Sequence, residues 1–129
     1  GEDPAVVPTL PLEHLRALGS SGQVTIIGYS QGAIPALGCV LALGNVAWLH
    51  DCILLNSATA FWPHWFQELL PSGWWSDPPA FSSKITSWVI RNDPLSDEVP
   101  GGSQRMPQVP GETRVLPSCA FGKEVMDNH

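Results

Sequence analysis

The chain has 129 residues, which is enough for one domain. Hydrophobic residues make up 43% of it, so a packed core is expected, and its 13 prolines and 12 glycines follow no repeat that would indicate a fibrous or disordered protein. The formal net charge is −6 and the six basic residues form no cluster, which argues against binding to nucleic acid.

Cysteine content and hydropathy constrain the class further. Cys39, Cys52 and Cys119 form neither a CxxC motif nor a Cys/His metal pattern. Cys39 and Cys52 lie in apolar stretches, which favours buried free thiols and a reducing compartment, with one disulfide plus one free thiol as the alternative. No apolar run reaches the roughly 20 residues of a transmembrane segment. No signal peptide is recognised, although the chain starts at Gly1 and a targeting segment could lie outside it.

The predicted elements alternate between helices and strands. Leu12, Leu15 and Leu18 are spaced as one apolar helical stripe. The β-branched run 24–27 is typical of a short buried strand, and the small or apolar residues 33–43 suit a helix buried against a sheet. Further strands are predicted at 52–55, 85–90 and 113–116. Strands separated by connections of helix length predict parallel βαβ units and an α/β fold.

Two connections are long and irregular: residues 61–81 are rich in Trp and Pro, and residues 94–111 in Pro and Gly. The aromatic stretch has two interpretations. It could be a cap or lid that offers an apolar surface to an acyl chain and transiently contacts a lipid interface. Alternatively, its rings pack as ordinary core, an interpretation that is slightly favoured, with Trp74 and Trp75 as the more exposed pair.

The residues between the first strand and the buried helix match the pattern G-x-S-x-G, with Gly28, Ser30 and Gly32 at its fixed positions. Such a turn lifts the serine hydroxyl above the edge of the sheet. It also packs the positions two before and two after the serine so closely that side chains there are expected to clash. The helix that follows places N–H groups near an oxyanion, and the N–H of Gln31 is the predicted first donor. An incidental serine in a Gly-rich turn is the alternative, which the flanking strand and helix disfavour.

Residues 24–33, Val-Thr-Ile-Ile-Gly-Tyr-Ser-Gln-Gly-Ala, resemble the nucleophile segment of lipases, esterases and cutinases of the α/β-hydrolase superfamily. Gly-Tyr-Ser-Gln-Gly is especially similar to the cutinase form. Cutinases flank their catalytic aspartate with a disulfide, whereas no cysteine neighbours the downstream aspartates here. Residues 92–94, Asn-Asp-Pro, instead resemble the acid segment of fungal-type class 3 triacylglycerol lipases. The resemblance is specific over 24–43, suggestive over 85–95 and architectural elsewhere.

The superfamily orders its catalytic residues as Ser, then Asp or Glu, then His along the chain. Asp93 follows the predicted strand 85–90 and precedes Pro94, so it is the implied acid, with Asp97 and Glu98 as runners-up. An acid there would orient the histidine and stabilise its imidazolium form. An Asp-Pro turn without a chemical role is the alternative.

The chain has four histidines, and the base is assigned among them by elimination. His14 is expected on an exposed helix face and His50 at the surface. His64 could line a substrate site but precedes the acid. Only His129 follows Asp93, on a loop after the last strand, where the superfamily keeps its histidine.

These residues imply a serine hydrolase that cleaves carboxylic esters, lipids included, through a Ser30-Asp93-His129 triad and an acyl-enzyme, with no metal or organic cofactor. Two alternatives stay open. One is acyl transfer or thioester hydrolysis on the same fold. The other is a non-catalytic hydrolase-like module used for binding.

Residues 1–129 are predicted to form a single domain, with 61–81 as the cap insertion if one exists. The superfamily places several strands before its nucleophile, whereas only 29 residues precede Ser30. The expectation is therefore a partial α/β-hydrolase fold: a mostly parallel sheet of about four strands with flanking helices, without the N-terminal strands. No residue can be assigned as second oxyanion donor. The segment is either a fragment or a reduced relative, and poor catalysis is expected from it alone.

Overall fold

A computed structural model describes residues 11–57, 63–70, 77–91, 93, 109, 111–117 and 129. Its helices are α1 (Leu12–Gly19), α2 (Ala33–Leu43) and α3 (His64–Leu69). Its strands are β1 (Val24–Tyr29), β2 (Leu49–Leu55), β3 (Ile85–Ile90) and β4 (Glu112–Leu116). Short 3-10 helices cover Ser30–Gly32, between β1 and α2, and Ala80–Lys84, before β3. The predicted class, an α/β fold with a parallel sheet and flanking helices, is confirmed.

The four strands form one sheet in the order β1-β2-β3-β4, and every neighbouring pair is parallel. Gly28 of β1 pairs with Leu54 of β2, which pairs with Ser87 of β3, which pairs with Thr113 of β4. Because all strands run in the same direction, their carboxyl ends lie along one edge of the sheet. The segments that leave β1, β2 and β3 therefore emerge side by side, the position at which α/β proteins place ligands.

The core lies between the sheet and α2. Ala36 of α2 packs so close to Gly28 of β1 that a Cβ atom added to the glycine would be 2.8 Å from the Ala36 Cβ. The predicted burial of helix 33–43 is confirmed, because Leu37 and Val40 are fully enclosed. The buried cluster consists of Ala33, Ala36, Leu37, Val40, Leu49, Cys52, Leu54, Phe66, Ile85 and Val109.

The prediction that the first strand is buried is wrong for one of its faces. Ile27 is 63% exposed and Tyr29 is 54% exposed, whereas Gly28 between them is buried. Successive side chains of a strand point to opposite faces of the sheet. Helix α2 covers the face that carries Gly28, and the face that carries Ile27 and Tyr29 stays open.

Strand β2 begins at Leu49 and not at Cys52 as predicted. The added residues include His50 and Asp51, whose Nε2 and Oδ2 atoms lie 3.2 Å apart at the partly exposed start of the strand. Polar residues at a strand end do not match the composition of a core strand, so the sequence pattern marked only the apolar part.

Within the aromatic stretch 61–81, the structure describes α3 and the 3-10 helix that leads into β3. Phe66 of α3 is part of the buried core, and Trp65 packs against that core and meets the Phe66 ring edge-on at 6.0 Å between centroids. Trp74 and Trp75 lie outside the described residues, as does most of 94–111. The cap or lid interpretation of 61–81 stays a prediction.

Cys39 and Cys52 are buried and free, as one of the two alternatives for the cysteines predicted. Burial raises the pKa of both thiols, that of Cys52 to about 12. Cys119 lies outside the described residues. In the part of the chain that the structure describes, no helix has the length and apolarity needed to cross a bilayer.

Candidate active site

Three side chains from separate parts of the sequence meet at the carboxyl edge of the sheet. Ser30 directly follows β1, and Asp93 lies just after β3, where its N–H donates to the main-chain oxygen of Ile90 at 3.1 Å. His129 lies between them in space. The structure thus brings together the residues predicted as nucleophile, acid and base.

The three side chains form one hydrogen-bonded row. Nε2 of His129 lies 2.6 Å from Oγ of Ser30, and its Nδ1 lies 2.9 Å from Oδ2 of Asp93. A carboxylate only accepts hydrogen bonds, so Nδ1 carries the ring proton and donates a hydrogen bond to Asp93. In the neutral imidazole Nε2 then accepts, and the donor is the hydroxyl of Ser30. This tautomer satisfies both contacts at once.

Burial decreases from the Asp93 end of the row to the Ser30 end. The Asp93 side chain is completely buried, while that of His129 is 14% exposed. The carboxylate is therefore shielded from water, and its interaction with the imidazole is less screened than that of a surface pair. Ser30 at the other end is only partly buried.

Ser30 has a φ of 54°, in the left-handed region that residues with a side chain rarely adopt. Such conformations cost on the order of 1–3 kcal/mol and concentrate at functional sites. Here the unusual φ turns the chain directly from β1 into the 3-10 helix Ser30–Gly32 and then into α2. The bend is the sharp strand-to-helix turn that the G-x-S-x-G pattern predicts.

The two glycines of the pattern have different environments. A Cβ atom on Gly28 would lie 2.6 Å from the main-chain oxygen of Gly32 and would also collide with Ala36, so the predicted lack of space is confirmed there. Around Gly32, by contrast, an added Cβ would meet no atom of the described residues within 4 Å, and its φ of −63° suits any residue. The prediction of a clash at Gly32 is wrong. The backbone of Gly32 crowds Gly28, whereas a side chain added to Gly32 itself would point into open space among the described residues.

Gln31 occupies the first turn after Ser30, at the amino end of the helical segment that continues as α2. Its side chain is exposed. Main-chain N–H groups at a helix amino terminus carry partial positive charge and attract anions. The position of Gln31 therefore fits the predicted oxyanion donor, and no second donor is assigned among the described residues.

Two residues that the sequence did not single out also contact His129. The hydroxyl of Tyr29 donates to the main-chain oxygen of His129 at 2.6 Å, and Nδ2 of Asn56 donates to the same oxygen at 3.0 Å. The only sequence signal for them is position, since Tyr29 precedes Ser30 and Asn56 directly follows β2. Neither position is fixed by the G-x-S-x-G pattern.

The other histidines lie away from this row. His14 is exposed on α1, and His50 is exposed and paired with Asp51, as predicted for surface residues. His64 is exposed on α3 and pairs with Glu68 at 3.0 Å. The runners-up for the acid, Asp97 and Glu98, lie outside the described residues.

No cluster of three or more His, Cys, Asp or Glu side chains in the described part of the chain is arranged to hold a metal ion.

A comparison with models of protein families, with curated proteins and with solved structures finds no match to this chain.

Proposed function

We propose that this chain carries the active site of a serine hydrolase that cleaves carboxylic esters, of the lipase and esterase kind found in the α/β-hydrolase superfamily. One observation carries the proposal: the row from Ser30 through His129 to Asp93, with contacts of 2.6 and 2.9 Å. A hydroxyl bonded to an imidazole, itself oriented by a buried carboxylate, is the arrangement that activates a serine for attack.

The surroundings of the row also support acyl-transfer chemistry. Ser30 stands on a left-handed turn at the carboxyl edge of a parallel sheet, it is only partly buried, and the amino end of a helical segment with its N–H groups follows immediately. A helix terminus beside a nucleophile stabilises the negative charge that develops on a carbonyl oxygen. A serine with an incidental hydrogen bond to histidine requires neither feature.

The proposed reaction proceeds in two steps. Oγ of Ser30 attacks the ester carbonyl while Nε2 of His129 takes the hydroxyl proton, and the tetrahedral oxyanion faces the N–H of Gln31. The carbon–oxygen bond to the alcohol breaks, the alcohol leaves with the proton from His129, and an acyl-serine remains. Water then attacks the acyl-serine, giving its proton to His129, and the carboxylic acid departs as Ser30 regains its proton. Asp93 keeps Nδ1 protonated throughout and stabilises the transient imidazolium.

The proposed substrates are carboxylic esters with an apolar acyl group, lipids among them. This substrate class follows from the sequence resemblance. Hydrolysis of p-nitrophenyl esters of increasing acyl length measures the preference directly, and a rate independent of acyl length would argue against lipids as substrates.

A fluorophosphonate probe tests the reactive serine. In that reaction the Ser30 oxygen bonds to phosphorus, the P–F bond breaks, and the hydroxyl proton leaves through His129 with fluoride. We expect the parent chain to be labelled and Ser30→Ala to be unlabelled. Ser83→Ala is the matched control, because Ser83 is an exposed serine whose hydroxyl bonds locally, to the main-chain oxygen of Ala80. A folded parent chain that resists the probe would refute the proposal and leave a binding module as the better hypothesis.

A further inference from the structure

The main-chain oxygen of His129 accepts hydrogen bonds from two side chains at once. Tyr29 donates its hydroxyl at 2.6 Å, and Asn56 donates Nδ2 at 3.0 Å. The side chain of His129 simultaneously bonds to Ser30 and Asp93. The residue is thus held from its backbone as well as from its ring.

Asn56 is itself fixed against β3. Its N–H donates to the main-chain oxygen of Trp88 at 2.9 Å, and its Oδ1 accepts from the N–H of Ile90 at 3.0 Å. It has a φ of 42°, a left-handed conformation that asparagine tolerates better than most residues, and it is only 5% exposed. With both ends of its amide engaged, Asn56 spans from β3 to His129. Strain at a buried residue with these contacts points to a positional role.

Tyr29 bonds to His129 and is also the residue that directly precedes Ser30 in the chain. Tyr29 is joined to Ser30 by one peptide bond, so two hydrogen bonds and this stretch of backbone link Tyr29, His129 and Ser30 in a closed loop. The hydroxyl of Tyr29 meets the His129 main chain, the His129 ring meets Ser30, and the backbone joins Ser30 to Tyr29. The rings of Tyr29 and His129 also lie 5.6 Å apart between centroids, tilted by 31°. Because the hydroxyl of Tyr29 holds the backbone of His129, a shift of that backbone relative to Ser30 would break the hydrogen bond to Tyr29.

We propose that Tyr29 and Asn56 are positioning residues that set the distance between Nε2 of His129 and Oγ of Ser30. The inference rests on the proposed function, because it concerns how the base of that reaction is held. Their hydrogen bonds to His129 go to its main-chain oxygen and not to Nε2. Their effect is to keep the imidazole in a near-attack geometry, in which a displacement of about 1 Å can cost on the order of a hundredfold in rate.

Two conservative substitutions remove one donor each. Tyr29→Phe deletes only the hydroxyl, and Asn56→Asp keeps an acceptor for the N–H of Ile90, loses the donor to His129 and sets a carboxylate oxygen against the His129 main-chain oxygen. The matched control is Lys84→Met, which deletes a side-chain bond to a main-chain oxygen, from Nζ to Val46 at 2.6 Å. Lys84 directly precedes β3, so this bond lies at the amino edge of the sheet, opposite Ser30.

Two quantities distinguish a positioning role from a role in stability alone. They are the rate of fluorophosphonate labelling at saturating probe and the probe concentration that gives half of that rate. We expect the saturating rate to fall about threefold in Tyr29→Phe and about tenfold in Asn56→Asp, with the half-saturating concentration unchanged. The larger effect is expected for Asn56 because it is buried, whereas water competes for the more exposed hydroxyl of Tyr29. Lys84→Met should label at the parental rate. A merely structural role would lower the folded fraction and leave the rate per folded molecule unchanged.

The NMR resonance of the Nδ1 proton of His129, in its bond to Asp93, gives a second readout that does not depend on activity. We expect it to shift or broaden in both variants. If the parent is labelled and folded Tyr29→Phe keeps both the parental rate and the parental resonance, the positioning role is refuted while the proposed function stands. If the parent is not labelled, the proposed function fails, and the resonance still decides whether these residues hold His129. Tyr29 is half exposed, so Tyr29→Phe keeps the test decisive if Asn56→Asp does not fold.

Discussion

Replacing Gly28 by alanine tests the turn on which the whole site depends. The added Cβ would lie 2.6 Å from the main-chain oxygen of Gly32 and 2.8 Å from the Cβ of Ala36, whereas ordinary van der Waals contact begins at about 3.4 Å. Both neighbours belong to the helical segment that packs on β1, so neither is a flexible side chain that can rotate away. Overpacking at such positions costs about 1–3 kcal/mol, and we expect about 3 kcal/mol here because main-chain atoms are involved.

Gly32→Ala is the matched control, since it adds the same methyl group to the other glycine of the pattern. Its φ of −63° suits alanine and the Cβ direction is open among the described residues. A change of less than about 1 kcal/mol is expected, in the stabilising direction if alanine restricts the unfolded chain. Urea unfolding followed by fluorescence of the six tryptophans measures both variants. Equal stability of Gly28→Ala and the parent, or an equally large loss in Gly32→Ala, would refute this explanation of the motif.

Two further predictions concern stability. Folding keeps the thiol of Cys52 protonated up to a pKa of about 12 while the unfolded chain ionises near 9.0, so this thiol should lower the free energy of unfolding by about 1.4 kcal/mol per pH unit between those values, and Cys39, whose pKa burial also raises, should add to the fall. Urea titrations from pH 8 to 11 measure the fall, and an equally steep fall in Cys52→Ala would contradict its origin. Gly111 has a φ of 108°, and a Cβ there would collide with the main-chain oxygens of Ser82 and Ile85, so Gly111→Ala should lower stability by at least 2 kcal/mol. An unchanged urea midpoint in Gly111→Ala would exclude that close contact.

The four strands and the helices α1 and α2 could be predicted from the sequence because each has a strong local signal, whereas α3, inside the stretch 61–81 that was predicted to be irregular, could not. The β-branched run before Ser30 and the apolar run after Gly32 differ clearly in period and length from the loops around them. Exposure could not be predicted in the same way. Ile27 is as apolar as a core residue, yet it lies on the face of β1 opposite α2, and only the three-dimensional arrangement reveals which face is covered.

The contacts of Ser30, Asp93 and His129 follow from a rule about order along the chain, which the resemblance supplied. The contacts of Tyr29 and Asn56 follow from no such rule. Each depends on where the fold places the backbone of His129. Pattern and propensity describe near neighbours in sequence, whereas these hydrogen bonds join residues 100 and 73 positions apart.

Because the strands are all parallel, the candidate active site lies at one end of the sheet and the turns that enter β1 and β2 lie at the other. Exposed turns at Gly22 and Asn45 precede β1 and β2, so they lie at the opposite end of the strands from Ser30. A strand of six residues spans about 20 Å. A fluorophore or affinity tag attached at either turn would therefore stand clear of any molecule that docks at the serine. Surface immobilisation through these turns should leave that serine facing the bulk solution.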